Sequence, residues 1–339
     1  MPNGPWRCLP AGYRPKLDLR QTEIAIKQLK DFFEVRLARA LNLTRVSAPL
    51  FVRPETGLND DLNGIERPVT FGVKDLGEAP CEIVQSLAKW KRMALKRYGF
   101  ALGEGLYTDM NAVRRDELLD NLHSIYVDQW DWEVIISPEE RNLETLRALV
   151  RRIYAVFRET EDYISGIYPV LDRKLPAEIS FITAQELADR YPGLSPKERE
   201  DEIAREYGAV FLAQIGGALR SGERHDGRAP DYDDWALNGD IIFWYPTLRG
   251  AFEISSMGIR VDAAALDRQL ALAGCDDRRE RPFHRALLAG ELPQTAGGGI
   301  GQSRICMFFL DKAHIGEVQS SIWPEEIMEA CEAAGVTLL

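Results

Sequence analysis

Cysteine and histidine are scarce in this 339-residue chain, with five of the first and four of the second. Cys8, Cys81, Cys275, Cys306 and Cys331 are odd in number and widely scattered, with no C-x-x-C pair. That excludes a disulfide framework and a cysteine-based zinc site, and implies free thiols in a reducing compartment. His123, His225, His284 and His314 form no H-E-x-x-H pattern, which argues against zinc-dependent hydrolysis. Apolar runs are short: residues 209–216 fall far below the ~20 residues of a membrane-spanning helix. The amino terminus shows no charged-then-apolar signal pattern, so the expectation is a cytoplasmic protein with no membrane partner. A phosphate loop of the form G-x-x-x-x-G-K-[ST] is absent, and Gly299-Ile300-Gly301 runs into Gln302-Ser303-Arg304 without a third glycine, so the dinucleotide fingerprint is absent too. No G-x-S-x-G nucleophile elbow occurs. Positive charge is in deficit, with 42 Lys and Arg against 53 Asp and Glu for a formal net charge of -11. This opposes a broad grip on nucleic acid but leaves small anionic substrates open wherever cations converge.

What is present is the make-up of an ordinary globular enzyme, 45% hydrophobic and 28% charged, without repeats or linkers. Ile26, Leu29, Phe33, Leu37 and Leu41 recur at helical spacing and predict an amphipathic helix over 21–41 that ends at Asn42. An extended stretch around Pro49 and a polar loop over 54–67 follow. Residues 81–85 read as a short strand feeding a helix over 86–98, rich in Lys and Arg, whose charges are expected to form mostly a solvated face. The stretch 105–136 predicts a long antiparallel hairpin joined by a charged loop over 114–121. Its second strand places Val127, Gln129, Asp131 and Glu133 on one face and Tyr126, Asp128, Trp130 and Trp132 on the other. A strand face with two carboxylates and an amide does not pack as core; it meets water or lines a polar pocket.

Helices are expected over 139–163, over 183–190 and after Ser195, where Glu198 completes a capping box. Residues 209–215 read as a buried strand. The loop 225–238 holds Asp226, Asp231, Asp233 and Asp234 and reads as solvated turn chemistry. Strands over 240–245 and 251–256 precede a glycine-rich turn, 297–301, that leads into a helix. Hairpins with interspersed helices predict an α+β fold, an antiparallel sheet flanked by helices in one continuous domain. Arg114, Arg260 and Arg304 lie near strand ends beside Asp131, Asp233, Asp240 and Glu253. Each alone is ordinarily a surface ion pair, but together they suit phosphates held by arginine forks, a divalent cation held by hard oxygens and an amino group held by carboxylate.

Four strings carry a resemblance: Ser86-Leu-Ala-Lys-Trp-Lys91, Gly103-Glu-Gly-Leu-Tyr-Thr108, Tyr126-Val-Asp-Gln-Trp-Asp-Trp132 and Arg228-Ala-Pro-Asp-Tyr-Asp-Asp-Trp235. With Leu237-Asn-Gly-Asp240, Phe252-Glu-Ile-Ser-Ser-Met-Gly-Ile-Arg-Val-Asp262 and Gly297-Gly-Gly-Ile-Gly-Gln-Ser-Arg304, they resemble the ammonia-dependent, A-type asparagine synthetase family over nearly the whole chain. That family's core is similar to class II aspartyl- and asparaginyl-tRNA synthetases. The long helix before Pro49, the hairpin carrying Arg114 and the glycines leading to Arg304 look like the three motifs of that class.

The resemblance implies that L-aspartate, ATP and ammonia yield L-asparagine, AMP and diphosphate through a β-aspartyl-adenylate. It implies Arg114 at the α-phosphate, Arg304 at the ATP tail, and Asp240 and Glu253 at Mg²⁺. Around the amino acid it implies Ser86, Lys91, Gln129, Asp131, Asp233, Ser255, Ser256 and Arg260. Asp61, in the loop 57–64, matches a position suited to binding ammonium and taking its proton, though an exposed turn aspartate is the competing reading. Position 2 is Pro2, not the cysteine nucleophile of glutamine-dependent synthetases, so free ammonia is the implied donor. A homodimer is implied as well, and the helix over 21–41 carries more apolar residues than one face needs. Residues 1–17, with Pro2, Pro5, Pro10 and Pro15, match nothing in the family. The alternatives are a class II tRNA synthetase or adenylate-forming relative, and a non-catalytic paralogue; the presence of Arg114, Arg304, Asp240 and Glu253 opposes the last.

Overall fold

The computed structural model describes residues 9–62 and 64–339; residues 1–8 of the proline-containing stretch, and Cys8 with them, lie outside the described residues. The four other cysteines are free. Residues 9–17 are tied to the carboxy-terminal region: Tyr13 donates to Glu317 at 3.0 Å and Lys16 to Asp311 at 2.9 Å.

Asp18 starts the first helix with a capping box, accepting from Gln21 N at 2.8 Å while Gln21 accepts from Asp18 N at 3.1 Å. Helix α1 (Leu19–Leu41) buries Ala25, Leu29, Phe33, Leu37 and Leu41 along one stripe and ends at Asn42, which takes the left-handed conformation at φ 55°. Then come β1 (Leu43–Arg45), β2 (Phe51–Val52), β3 (Thr70–Val73), β4 (Ala79–Ile83), α2 (Ala88–Tyr98), β5 (Gly105–Val113), β6 (Tyr126–Ile135), α3 (Leu143–Ile167), β7 (Ser180–Thr183), α4 (Ala184–Arg190) and α5 (Pro196–Tyr207). The chain finishes with β8 (Ala209–Ala213), β9 (Asp233–Tyr245), β10 (Gly250–Arg260), α6 (Ala263–Ala273), α7 (Pro282–Leu288), β11 (Thr295–Gly301), α8 (Gln302–Phe309) and α9 (Glu325–Ala333).

Eight strands form one sheet in the order β1-β5-β6-β11-β10-β9-β8-β7, antiparallel except for the outer pairs β1/β5 and β7/β8; β2, β4 and β3 form a small second sheet. Helices α1, α3 and α8 cover one face of the large sheet through aromatic packing. Phe33 stacks on Trp130 with centroids 4.9 Å apart, Phe157 meets Phe243 edge-on at 5.2 Å, and Phe243 lies 5.1 Å from Phe308. Each such buried ring stabilises the fold by roughly 1.5–3 kcal/mol relative to exposure. Trp130 and Trp132 are fully buried there. The two-residue period then turns Gln129 and Asp131 to the opposite face, which is how the polar strand face arises. On that opposite face α2 packs against β5, β6 and β11, and α5 against β8, β9 and β10.

The α+β expectation of an antiparallel sheet flanked by helices holds, and three local readings are corrected. Residues 297–301 are not a turn but part of β11, inside the sheet. In the acidic loop, β9 begins at Asp233, and Asp231, Asp233 and Asp234 are buried because Arg and Lys side chains neutralise them. The cationic helix α2 does not present most of its charge to water: Lys89, Lys91 and Arg92 are buried, and only its last turn, with Lys96 and Arg97, is solvated.

Candidate active site

A cavity of about 450 Å³ opens over the central strands β6, β11 and β10, between the amino-terminal ends of α2 and α5. The three successive glycines of β11 make room for it. A Cβ on Gly299 would lie 2.2 Å from Gln129 Oε1, and one on Gly297 would lie 2.3 Å from Glu133 Oε2 and 2.5 Å from Arg260 Nη2. Glycine is therefore required for the neighbouring strands to fold their polar side chains over β11.

One end of the cavity is lined by Ser86, Gln129, Asp131, Asp233, Ser255, Ser256 and Arg260, seven of the residues implied for the amino acid. The eighth, Lys91, is not on the wall but directly behind it, fully buried, donating to Asp131 and to the carbonyls of Trp132 (2.8 Å) and Gly298 (3.3 Å). Burial pushes its ammonium pKa down, against the pull of Asp131. Arg260 is held from two sides. Its Nε and Nη2 donate to Glu133 at 3.1 and 2.9 Å, and its Nη1 donates to Asp233. Glu133 also accepts from Thr295 Oγ1 at 2.7 Å. Burial pushes Asp233 up despite Arg260; burial works the same way on Glu133, but there Arg260 and Lys91 outweigh it and hold the carboxyl below its usual range. Two cations among three carboxylates leave the cluster formally at one negative charge, suited to an added ammonium group.

The other end gathers cations. Arg114 follows β5, and its Nε is buried with no hydrogen-bond partner among the described residues. Arg304, in the first turn of α8, donates to the Glu253 carbonyl at 2.8 Å and lies 3.8 Å from that residue's carboxylate. Arg228 and Lys197 join them on the wall, beside the His123 ring. Asp240 is not among the lining residues; it is paired to Arg228, which is, and its Oδ1 is buried and unpartnered. Burial, eased by Arg228 and reinforced by the Glu253 charge, pushes Asp240 up to about 7. Burial acts on Glu253 too, but Arg304 and Arg228 more than offset it and hold it at about 2. Among the described residues no group of three or more His, Cys, Asp or Glu is arranged to hold a metal on its own. Glu253 and the unpartnered Asp240 oxygen fit a cation that arrives with phosphate oxygens completing its shell.

Asp61, implied for the ammonium, is not among the residues that line the cavity. Its carboxylate accepts from Arg281 Nη1 at 2.8 Å, with Arg278 Nε at 3.3 Å. The neighbouring Asp60 reaches the wall instead. Its Oδ1 accepts from Leu62 N at 2.9 Å, while its Oδ2 is buried without a partner. Burial raises its pKa, with Lys89 opposing. The one-residue shift was invisible in Asp60-Asp61, since both carboxylates suit the chemistry and only the backbone turn, with Leu62 at φ 47°, decides which faces in. Glu133 was on the polar strand face read from the sequence but had no role there. Arg228, which opens a matching string, had none either.

The family model described as aspartate-ammonia ligase matches residues 20–335. The aspartate-ammonia ligase of Ruminiclostridium cellulolyticum is 64% identical over 330 residues, covering 97% of this chain and 98% of that protein. The one from Fusobacterium nucleatum is 64% identical over 327 residues, covering 96% and 99%. Among solved structures, asparaginyl-tRNA synthetase from Pyrococcus horikoshii, complexed with asparaginyl-adenylate, superposes with a TM-score of 0.65 at 15% identity, covering 89% of this chain and 70% of that one; at that identity the likeness is one of fold.

Proposed function

The chain belongs to the aspartate-ammonia ligase family, and on that premise we propose that its cavity joins ammonia to the side-chain carboxylate of L-aspartate in two steps, by way of a β-aspartyl-adenylate made from ATP. The observation that carries the reading is the joining, in one cavity, of a cationic end built on Arg114 and Arg304 to an amphoteric end built on Asp131, Asp233 and Arg260. The first end suits a polyphosphate and the second an amino acid.

In the first step an aspartate carboxylate oxygen bonds to the α-phosphorus of ATP, and the bond from that phosphorus to the β-phosphate bridging oxygen breaks, its electron pair leaving with pyrophosphate. Arg114, whose guanidinium is left without an internal partner at Nε, stabilises the charge that builds on the α-phosphate more than it stabilises the ground state. Arg304 receives the ATP tail. Asp131 and Asp233 hold the substrate ammonium, and Arg260 offers its guanidinium to a carboxylate. A magnesium ion, held by Asp240 and Glu253 with the nucleotide, would neutralise phosphate charge.

In the second step ammonium must lose a proton before its nitrogen can attack the acyl carbon. Asp60, which lines the cavity and has an unpartnered Oδ2, binds the cation and accepts that proton; the new C–N bond forms as the acyl oxygen bond to AMP breaks, and the second proton that the nitrogen sheds leaves with the AMP phosphate. The expected assembly is a homodimer, in which a second copy covers the exposed Leu19, Ile24 and Val35 of α1. The expected location is the cytoplasm; no helix among the described residues is long and apolar enough to cross a membrane.

The test is a product assay with aspartate, ATP and Mg²⁺. Asparagine and AMP should form in equal amounts with ammonium chloride and not with glutamine. Equal turnover with glutamine, or ADP in place of AMP, would overturn the reading.

A further inference from the structure

The segment 57–62, which brings Asp60 to the cavity, is anchored on two sides. On one side Asn59 Oδ1 accepts from Gln85 N at 2.8 Å and Gln85 Nε2 donates to the Asp60 carbonyl at 2.9 Å, which ties the loop to the end of β4. On the other side Asp61 meets Arg278 and Arg281, and the loop base at Gly57 sits so close to Arg281 that a Cβ there would lie 2.8 Å from the Arg281 Cβ.

Arg278 does more than cover Asp61. It is buried, and while its Nε faces Asp61 at 3.3 Å its Nη1 donates to Asp231 at 3.1 Å. A single oxygen of Asp231 also takes Lys89 Nζ at 3.2 Å and His284 Nε2 at 3.0 Å. Asp231 is completely buried and lies two residues before Asp233, which lines the amino-acid end of the cavity. Arg278 is thus a bridge between two carboxylates, one on the Asp60 loop and one fixed to α2, α7 and the start of β9.

From this geometry we infer that Arg278 is a positioning residue for the ammonia step: by spanning Asp61 and Asp231 it fixes where Asp60 stands relative to the bound aspartate. The inference deepens the reading given above for Asp60 and rests on it. A planar guanidinium can address both carboxylates at once, whereas an ammonium is a single point of charge. Without the bridge, the Asp61 carboxylate keeps only Arg281 among the described residues, a side chain about one-third exposed, and Asp60 is free to shift by the fraction of an ångström that matters for attack geometry. Arg278 is not on the cavity wall, and when it is lost the buried Asp231 keeps Lys89 and His284, so the residues given to the first step keep their own partners.

The experiment measures Michaelis constants for ammonium, aspartate and ATP separately, together with aspartate-dependent pyrophosphate exchange, which reads the first step without ammonia. Arg278→Met should raise the ammonium KM by about tenfold or more while the aspartate and ATP constants and the exchange rate stay within about twofold of wild type. Arg278→Lys, which keeps the charge but not the span, should fall between. Asp61→Ala removes the other end of the bridge and leaves the buried Asp231 cluster intact, so it serves if the Met variant does not fold, and should show the same split. An unchanged ammonium KM in both the Met and Ala variants, or a parallel rise in all three constants, overturns the inference. Asp60→Asn separates the two readings. If it loses ammonium-dependent turnover while retaining exchange and the Arg278 variants are silent, only the bridge fails; if the Arg278 variants respond and Asp60→Asn does not, the assignment of Asp60 fails.

Discussion

Replacing Glu133 by Gln changes almost no volume but removes one formal charge from the most buried ionic cluster at the cavity. Glu133 is fully buried, takes Nε and Nη2 of Arg260 at 3.1 and 2.9 Å and Thr295 Oγ1 at 2.7 Å, and lies 3.6 Å from Lys91 Nζ. Breaking a buried pair of this kind destabilises by roughly 3–5 kcal/mol, and because Asp233 still faces Arg260 the lower figure, about 3 kcal/mol, applies. With a urea slope of about 3 kcal/mol/M for a chain of this size, the midpoint should fall by about 1 M. The seven tryptophans, of which Trp130 and Trp132 are fully buried, provide the fluorescence signal. Arg260, drawn toward Asp233, should lose its pose for the substrate, so the aspartate KM should rise at least tenfold while that for ammonium stays near wild type. Thr295→Val removes only the hydroxyl donor to the same carboxylate and should give about 1 kcal/mol with little change in KM. A Glu133→Gln variant with a midpoint within about 0.2 M of wild type and an unchanged aspartate KM would refute the claim that this carboxylate sets the Arg260 pose.

Arg114→Ala should slow aspartate-dependent pyrophosphate exchange by about a hundred- to a thousand-fold while calorimetry still detects aspartate binding; exchange at the wild-type rate would remove Arg114 from the first step. His314 is buried against the edge of Trp323 at 4.6 Å, and burial, slightly opposed by Asp120, pushes its pKa down to about 4. A lowered folded-state value means that its contribution is complete above the unfolded value near 6.5 and is lost as pH falls toward 4. Urea stability should therefore drop across that window, by up to about 3 kcal/mol from this residue, and His314→Gln should show a shallower drop; an identical pH slope in the variant would count against it.

The sheet and its helices were legible where periodicity and burial coincide. Trp130 and Trp132 alternate with Gln129 and Asp131, and one strand face is core while the other is cavity. The run of glycines was not legible, because a strand without side chains has no periodicity; its meaning lies in the Gln129, Glu133 and Arg260 side chains that fill the space above it. Lys89, Asp231 and Asp234 read as solvated for a related reason and are buried. A charged residue reads as exposed until its counter-charge is known, and their partners lie far away in sequence: Lys89 and Asp231 are 142 positions apart, and Asp231 and Arg278 are 47 apart. Asp60 and Asp61 differ only in the direction a turn gives them.

The central claim is that the aspartate side-chain carboxylate is activated by bonding to the α-phosphorus. The direct measurement is isotope transfer: aspartate carrying oxygen-18 in its side-chain carboxylate is turned over with ATP and ammonium, and the products are weighed by mass spectrometry. One labelled oxygen should appear in the AMP phosphate and the other should remain in the asparagine amide. Label in free phosphate or pyrophosphate, or AMP with none, would contradict the account.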